Sequence, residues 1–410
     1  MPRLTPDPVP FQAVTSTLKE RARILRQLGE IFRKHYPDYA QLVDKTTEEI
    51  IEWQDALIGD SPAAQRFRTL FELNAEWVQR FTRDEDCEEA ILMDSDLIAG
   101  TCIGIAGSDT EGENYGLCIL DEASKASLPE ALVPLVRSEK WVLVGDQRQL
   151  SPFMDAVLRN RQMLADKSID REIVGETLLA RLARLEIPSH AKAMLNRQYR
   201  MVPAIGNLIS KIFYENKLES AGGQTVPRAL TQVWAAPVTW LSTSRDLQRG
   251  EQLSNSSWIN PLEARWIRIL LDRLEFMLKA QGKSASGQGP SLLKVAVLTG
   301  YSAQRAHVES VLEGEHRPHL EVECRTVDAY QGREADLVIF CVTRSNKFSR
   351  AGFLAERERI NVALSRARYA LWIVGDADFC RGLGATSPLA EVRDYIEQHA
   401  PDCSLKEGIQ

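Results

Sequence analysis

The segment Leu117-Cys-Ile-Leu-Asp-Glu-Ala-Ser124 is a short apolar run that ends in two adjacent carboxylates. A second apolar run, Trp141 to Val144, ends in Gly145-Asp146. Short runs of this kind, bounded by helical stretches, are typical of buried parallel strands whose carboxyl ends carry the chemistry. The two segments therefore predict parallel strands with acidic side chains at the same edge of a sheet.

Further apolar runs continue this pattern along the chain. One run, 97–102, comes first, and a helical stretch around 156–190 separates the acidic segments from a second series. The second series contains Val238 to Ser242, Val295 to Thr299, Val322 to Thr326, Leu337 to Val342 and Leu371 to Val374. We therefore predict an α/β fold with two parallel-sheet lobes.

The first part of the chain has helical spacing instead. Residues 14 to 81 follow a helical pattern, and a stripe of apolar side chains, which we interpret as core packing, contains Phe67, Leu70, Phe71, Trp77, Val78 and Phe81. A different helix is predicted from Asn260, because Asn260-Pro-Leu-Glu263 combines an N-cap residue, a first-turn proline and a capping-box glutamate.

The composition is that of a soluble globular protein. The chain has 410 residues, 44% hydrophobic and 26% charged, which suits two or three domains. No run approaches the roughly 20 apolar residues of a membrane span, and no secretory signal begins the sequence. We therefore expect a cytoplasmic protein without a membrane segment, with a nuclear location left open. The seven cysteines include no Cys-x-x-Cys pair, which indicates neither a zinc site nor a disulfide framework.

Five short polar segments follow one another along the chain. They are Leu120-Asp-Glu-Ala-Ser124, Val144-Gly-Asp-Gln-Arg-Gln-Leu150, Gln198-Tyr-Arg-Met201, Val327-Asp-Ala-Tyr-Gln-Gly-Arg-Glu334 and Asn361-Val-Ala-Leu-Ser-Arg-Ala-Arg368. Carboxylates at a strand end suit Mg²⁺ and an attacking water, and an arginine from an opposite lobe neutralises charge in phosphoryl transfer. Each segment alone is explained as well by turn residues or salt bridges. Five in this order favour a nucleotide-hydrolysing site.

In these segments the chain resembles the superfamily 1 helicases of the 5′-to-3′ branch, which includes the nonsense-mediated-decay RNA helicase and the senataxin-type helicases. The resemblance runs from about Leu97 to Asp376. It implies ATP and Mg²⁺ as ligands, single-stranded DNA or RNA as the partner, and ATP hydrolysis coupled to movement along the strand. It also implies two RecA-like lobes, the first incomplete, with an N-terminal helical insertion.

The resemblance divides the chain into four parts. A helical accessory subdomain covers 1–95, and the C-terminal part of the first RecA-like lobe with its linker helices covers 96–190. The second RecA-like lobe covers 191–400, and a tail covers 401–410.

The resemblance also implies roles for individual residues at the phosphates. Asp121 would hold magnesium and Glu122 would be the catalytic carboxylate. Gln149 would sense the γ-phosphate, and Arg200 and Arg366 would reach the γ-phosphate from the second lobe.

Other positions match the nucleoside and strand contacts of the family. Tyr199 would stack on the adenine, Glu334 would lie near the ribose, and Gly332 would also belong to the nucleotide-binding set. The positions that match strand contacts are Thr101, Thr299, Tyr301 and Thr326. Hydroxyl groups at strand ends suit phosphate contact without base recognition, although an ordinary threonine in a turn explains any one of these positions equally well. Gly300 stands where the family usually has proline.

A phosphate-binding loop is missing from this set. No Gly-x-x-x-x-Gly-Lys-Ser/Thr segment precedes Asp121, although such a loop normally holds the nucleotide phosphates. The triplet Gly282-Lys-Ser284 is no substitute, because Met277 stands five residues before Gly282 and the segment follows a predicted helix. Losing the loop removes hydrogen bonds worth roughly 6 to 12 kcal/mol. Because micromolar ATP binding corresponds to about 8 kcal/mol, little affinity for ATP would remain.

Three explanations of the missing loop are open. The chain is the C-terminal portion of a longer helicase, or one subunit of a split ATPase whose loop lies on a separate chain. Alternatively, it is a helicase-derived nucleic-acid-binding or scaffold module that no longer hydrolyses ATP. Retention of all five residues predicted at the phosphates argues against long-standing loss of catalysis.

Overall fold

The computed structural model describes residues 95–106, 114–152, 176–280, 292–384 and 387–409, with the isolated positions 66, 69, 70, 73, 76 and 92. The chain forms two compact units, Met1–Ile98 and Ala99–Gln410. In the first unit the isolated positions are all helical, which agrees with the predicted helical region. Leu70 is 66% exposed, so this member of the predicted stripe is not part of a core. The other members lie outside the described residues.

The second unit begins with a small parallel sheet. Its elements are a 3₁₀ turn (Gly104–Ala106), strand β1 (Cys118–Leu120), helix α1 (Leu128–Leu135) and strand β2 (Trp141–Leu143). Ser127 caps α1 and completes a capping box with Glu130. The strands pair in parallel, with Leu120 opposite Leu143, which confirms both predicted strands. The strand predicted at 97–102 is wrong, because the hydroxyl of Thr101 accepts a hydrogen bond from the Gly104 backbone and turns the chain.

Short elements connect this sheet to the second one. They are helix α2 (Leu178–Arg184), a 3₁₀ turn (Ser189–Ala191), strand β3 (Arg197–Gln198), helix α3 (Pro203–Phe213), strand β4 (Glu219–Ser220) and helix α4 (Arg228–Val233). Strands β3 and β4 pair in parallel. Helix α3 buries most of its residues, and this anchors the segment that carries Tyr199 and Arg200.

A six-stranded parallel sheet forms the centre of the second lobe. The strands in this part of the chain are β5 (Val238–Ser242), β6 (Gln252–Ser254), β7 (Ser257–Ile259), β8 (Leu293–Thr299), β9 (Leu320–Thr326), β10 (Ala335–Cys341), β11 (Ala367–Gly375) and β12 (Cys403–Glu407). Strands β6 and β7 form a small separate hairpin, and the other six lie in the order β12-β5-β11-β10-β8-β9. The fold class is confirmed, because every predicted strand of the second series is present and the sheet is wholly parallel.

Helices cover both faces of this sheet. They are α5 (Pro261–Ala280), α6 (Ser302–Leu312), α7 (Arg357–Leu364), α8 (Ala377–Gly382) and α9 (Pro388–Gln398), with 3₁₀ turns at Asp328–Tyr330 and Gly352–Ala355. Strand β10 shows why the runs are continuously apolar: Val338 and Phe340 face one core, while Leu337 and Ile339 face the other. Among the described residues, no helix is both long and apolar enough to cross a membrane.

The predicted tail over 401–410 is corrected by the structure. Strand β12 pairs with β5 from Cys403 opposite Val238 to Glu407 opposite Ser242. Cys403 is buried and Leu405 packs against the same core. The alternation of apolar and polar residues in β12 suits an edge strand with one covered face.

Candidate functional site

Acidic residues follow the carboxyl ends of β1 and β2, which are neighbouring parallel strands. Asp121 and Glu122 follow β1 directly, and the backbone of Ala123 bonds to Val144 after β2 at 2.7 Å. One oxygen of Asp121 accepts from the Glu122 backbone N–H at 2.9 Å. Glu122 has φ +52°, a conformation that is uncommon for a residue with a side chain and is enriched at functional turns. Both carboxylates are exposed and accessible to a ligand.

Asp146 organises the segment after β2. One carboxylate oxygen accepts from the Arg148 backbone at 2.9 Å. The other accepts from the Gln149 side-chain amide at 2.9 Å and from the hydroxyl of Tyr214. The amide of Gln149 is therefore held beside Asp146 in this arrangement.

The two predicted arginines lie together on the second lobe. Arg366 is only 3% exposed, and it donates to the Val362 carbonyl and to the Ser365 hydroxyl, each at 3.0 Å. Arg200 donates to the carbonyl of the same serine at 3.3 Å. Burial, followed by the neighbouring positive charge of Arg200, lowers the pKa of Arg366 to about 10.

Electrostatic interactions connect Arg366 with the acidic segments. The carboxylates of Glu122 and Asp146 oppose the fall in the pKa of Arg366, so both act on it across the boundary between the lobes. Arg366 thus lies within electrostatic range of two carboxylates from the other lobe. Guanidinium groups suit phosphate oxygens, and carboxylates suit a hydrated divalent cation.

The donor set restricts how a metal ion would bind. Within the described parts of the chain, no group of three or more His, Cys, Asp or Glu side chains could hold a metal ion. Mg²⁺ commonly binds through one or two carboxylates, with waters and substrate phosphates completing its shell. Asp121, exposed at the strand end, fits that mode and would not fit a site made of protein ligands alone.

Two of the residues predicted to contact the nucleotide, Tyr199 and Glu334, lie beside Arg200. Tyr199 is 69% exposed, and the guanidinium of Arg197 lies 5.6 Å from its ring centroid. Glu334 accepts from Arg200 at 3.0 Å. Gly332 has φ +78° with open space where a side chain would be, so its backbone is accessible to a ligand.

The predicted strand contacts are only partly brought together. Thr299 and Thr326 are partners at the ends of β8 and β9, whereas Thr101 belongs to the turn before β1. Thr299 is 1% exposed and its hydroxyl pairs with that of Thr343 at 2.9 Å. The hydroxyl of Thr299 therefore faces the interior rather than a bound phosphate, because the chain after β10 passes directly beside it.

Tyr301 and Gly300 show how tightly this edge is packed. The Tyr301 hydroxyl accepts from Arg344 at 3.1 Å and from the Phe353 backbone at 3.2 Å. A Cβ atom on Gly300 would lie 2.3 Å from the ring of Phe353. A side chain at this position, proline included, would therefore require Phe353 to move.

Arg344 is a residue of this edge that the sequence did not single out. It donates to both oxygens of Glu251, at 2.7 and 2.9 Å, and both side chains are nearly buried. Its guanidinium lies 4.8 Å from the ring of Trp258. One signal could have identified it: Thr343-Arg344 directly follows a predicted strand, at the sheet edge where the other segments lie.

The chain matches two family models, both described as an AAA domain, one over residues 174–378, which is half of the chain, and one over 16–156. It is 34% identical over 298 residues to the Regulator of nonsense transcripts 1 homolog of Arabidopsis thaliana, covering 70% of this chain and 22% of that protein. Saccharomyces cerevisiae ATP-dependent helicase NAM7 is 31% identical, covering 74% and 30%. The mouse (Mus musculus) DNA replication ATP-dependent helicase/nuclease DNA2 is 30% identical, covering 78% and 31%.

Among solved structures, the complex of Arterivirus nonstructural protein 10 (helicase) with DNA matches with TM-score 0.32 and 17% identity, covering 67% of this chain and 43% of that one. The matches to the AAA-domain models and to proteins named as helicases define the class of protein. The chain belongs to the superfamily 1B helicases, in the branch related to nonsense-mediated decay. It spans less than a third of the length of each of the three relatives named above.

Proposed function

We propose that this chain forms part of an ATP-driven motor that moves 5′ to 3′ along single-stranded DNA or RNA. The observation that supports this most strongly is the position of Arg366. It is buried against the like charge of Arg200, while Glu122 and Asp146 act on it from the other lobe. Keeping a buried arginine beside a second one is costly unless an anion joins them. A γ-phosphate between the lobes is the anion that this proposal assigns.

The residues divide the reaction between the two lobes. Mg²⁺, when bound beside Asp121, would neutralise phosphate charge. Glu122 orients a water molecule whose oxygen attacks the γ-phosphorus, and the bond to the bridging oxygen of ADP breaks. Arg200 and Arg366 bind the phosphate oxygens on which negative charge accumulates, an effect that can be worth roughly 10³ to 10⁵ in rate.

Arg200 can exchange its present partner for phosphate at small cost. Its ion pair with Glu334 at 3.0 Å leaves both side chains more than one-third exposed. Exposed pairs of this kind contribute about 0 to 1 kcal/mol. The side-chain amide of Gln149 must similarly break its hydrogen bond to Asp146 before it contacts phosphate. Both exchanges, of Arg200 and of Gln149, depend on how the lobes close.

A second proposal concerns the missing phosphate-binding loop and starts from the exposed face of the small sheet. Trp141, Val142 and Ile119 are 49%, 44% and 62% exposed on β1 and β2, and exposed apolar strands favour a further covering segment. We propose that this segment carries the phosphate-binding loop, either earlier in a longer polypeptide or on a separate chain. A scaffold that binds nucleic acid without hydrolysis is the alternative.

A phosphate-release assay with poly(dT) or poly(U) tests the proposal. Glu122→Gln keeps the size of the side chain and removes the carboxylate, and Glu139→Gln, exposed near β2, is the matched control. A complete catalytic site is supported if the strand stimulates hydrolysis, if Glu122→Gln abolishes this hydrolysis and if Glu139→Gln retains it. Strand binding without hydrolysis favours the split motor or the scaffold. Absence of both strand binding and hydrolysis in the wild type overturns the proposal.

A further inference from the structure

An exposed aromatic ring stands on the loop that follows β10. Phe348 is 77% exposed. The guanidinium of Arg350 lies 5.4 Å from its ring centroid, and Lys347 precedes it in the chain. The loop therefore presents a flat apolar ring together with positive charge at the surface.

The loop is held in place by Asn346. The side-chain oxygen of Asn346 accepts from the backbone N–H groups of Phe348 and Arg350, each at 3.1 Å. Its amide donates to the Arg350 carbonyl at 3.1 Å and to Glu251 at 3.0 Å. Glu251 is itself fixed by two hydrogen bonds from Arg344. The ring is therefore presented on a prearranged loop, which lowers the entropy cost of binding a ligand.

The positive charge around the ring lacks a carboxylate partner in the described part of the chain. Lys347 and Arg350 are exposed, and neither forms an ion pair with any residue that the structure describes. Nearby Arg344, Arg357 and Arg359 are all paired with carboxylates. Two unpaired cations beside an exposed ring form a site for a ligand that has both a flat apolar face and negative charge.

We propose that Phe348 stacks on a base of single-stranded nucleic acid, while Lys347 and Arg350 contact the flanking phosphates. The site rests on the strand binding of the proposed function and adds a base contact to it. The proposed site is continuous with the sheet edge that carries Tyr301, because Arg344 connects Glu251 to the hydroxyl of Tyr301. Stacking of this kind tolerates any sequence, since every base has a π face.

Fluorescence anisotropy of a labelled oligothymidylate, and of an abasic strand of equal length, tests the contact. Phe348→Ala is expected to weaken binding to oligothymidylate about 5- to 150-fold, and Phe348→Trp to retain it. On the abasic strand Phe348→Ala and the wild type are expected to bind equally. Phe276→Ala is the matched control, because Phe276 is 66% exposed on α5, and it is expected to change neither affinity.

The salt dependence of binding separates the ring from the cations. Lys347→Gln and Arg350→Gln are each expected to reduce the slope of log K against log salt by about 0.7, whereas Phe348→Ala leaves the slope unchanged. If the wild type binds the strand and Phe348→Ala binds it equally well, or loses affinity equally on the abasic strand, the stacking proposal is overturned. If the wild type binds neither strand, the proposed function fails and the stacking proposal fails with it.

Discussion

The hydroxyl of Tyr214 donates a hydrogen bond to the carboxylate of Asp146 and so joins the two lobes. The amide of Asn361 donates to the Tyr214 oxygen at 2.9 Å and to the Arg148 carbonyl at 2.7 Å. Burial, and then the charge of Asp146, raises the pKa of Tyr214, so its hydroxyl keeps the proton that it donates. The segment that contains Gln149 is thus fixed by residues from α7 and from the end of α3.

Tyr214→Phe is therefore expected to destabilise the protein by about 1 to 3 kcal/mol, because it leaves a half-buried carboxylate oxygen and a buried amide with fewer partners. Hydrogen exchange should also become faster across residues 144 to 150. Urea unfolding and exchange mass spectrometry measure the two effects. Tyr115→Phe is the control, since the Tyr115 hydroxyl is buried without a hydrogen-bond partner among the described residues, and its removal should cost almost nothing. Equal stabilities for the two variants would contradict the expectation.

Arg366 and Arg344 offer a contrast between two buried arginines. Arg366→Met is expected to change the free energy of unfolding by less than about 1 kcal/mol. The lost hydrogen bonds are offset because the variant removes a buried charge and its repulsion by Arg200. Arg344→Met should cost about 3 to 5 kcal/mol, because it leaves the nearly buried carboxylate of Glu251 without its positively charged partner. Urea denaturation compares them. A larger loss for Arg366→Met than for Arg344→Met would mean that Arg366 stabilises the fold rather than serving a ligand.

Gly300 is a position where added volume should destabilise the protein. Gly300→Ala places a Cβ atom 2.3 Å from the ring of Phe353, and overpacking of this kind costs about 1 to 3 kcal/mol. Gly116→Ala is the control, because no atom lies within 4 Å of its added Cβ. Thermal unfolding of both variants tests the contact, and a Tm for Gly300→Ala equal to that of Gly116→Ala would show that Phe353 moves aside freely.

The sheet could be predicted from sequence where its strands are buried on both faces. Strand β5 was predicted with the bounds that the structure has, because Val238 to Ser242 is wholly buried. Strand β12 was missed, because its charged residues at an edge resemble those of a solvated tail. The apolar run at 97–102 is wrongly predicted as a strand, because apolar content alone does not distinguish a strand from a turn.

The candidate site could be predicted only where its residues lie within short segments. Asp121, Glu122, Arg200 and Arg366 were selected on that basis. The contact between Tyr214 and Asp146 joins residues 68 positions apart, and no local pattern marks it. The orientation of the Thr299 hydroxyl could not be predicted either, because a position at a strand end does not show whether a hydroxyl faces a ligand or the interior.

Glu263 is expected to make the stability of the protein depend on pH. It was predicted as a capping residue, and Asn260 does accept from the Glu263 backbone at 3.3 Å. Its carboxylate, however, accepts from the Thr343 backbone at 2.7 Å and from the Cys341 thiol at 2.9 Å. Burial is the main cause that raises the pKa of Glu263 to about 8, and the charges of Asp376 and Glu251 add to it.

The direction of that dependence follows from which state holds the proton. The unfolded chain ionises Glu263 near its usual pKa of 4.5, whereas the folded chain keeps the proton up to about pH 8. The contribution of Glu263 to stability is therefore fully present below about pH 4.5 and is lost as the pH rises to 8, at a slope of up to about 1.4 kcal/mol per pH unit. Glu263→Gln should flatten that slope, and the exposed Glu313→Gln should keep it. Urea midpoints between pH 5.5 and 8.5 measure this, and parallel curves for wild type and Glu263→Gln would show that the buried carboxyl is already ionised in the folded protein.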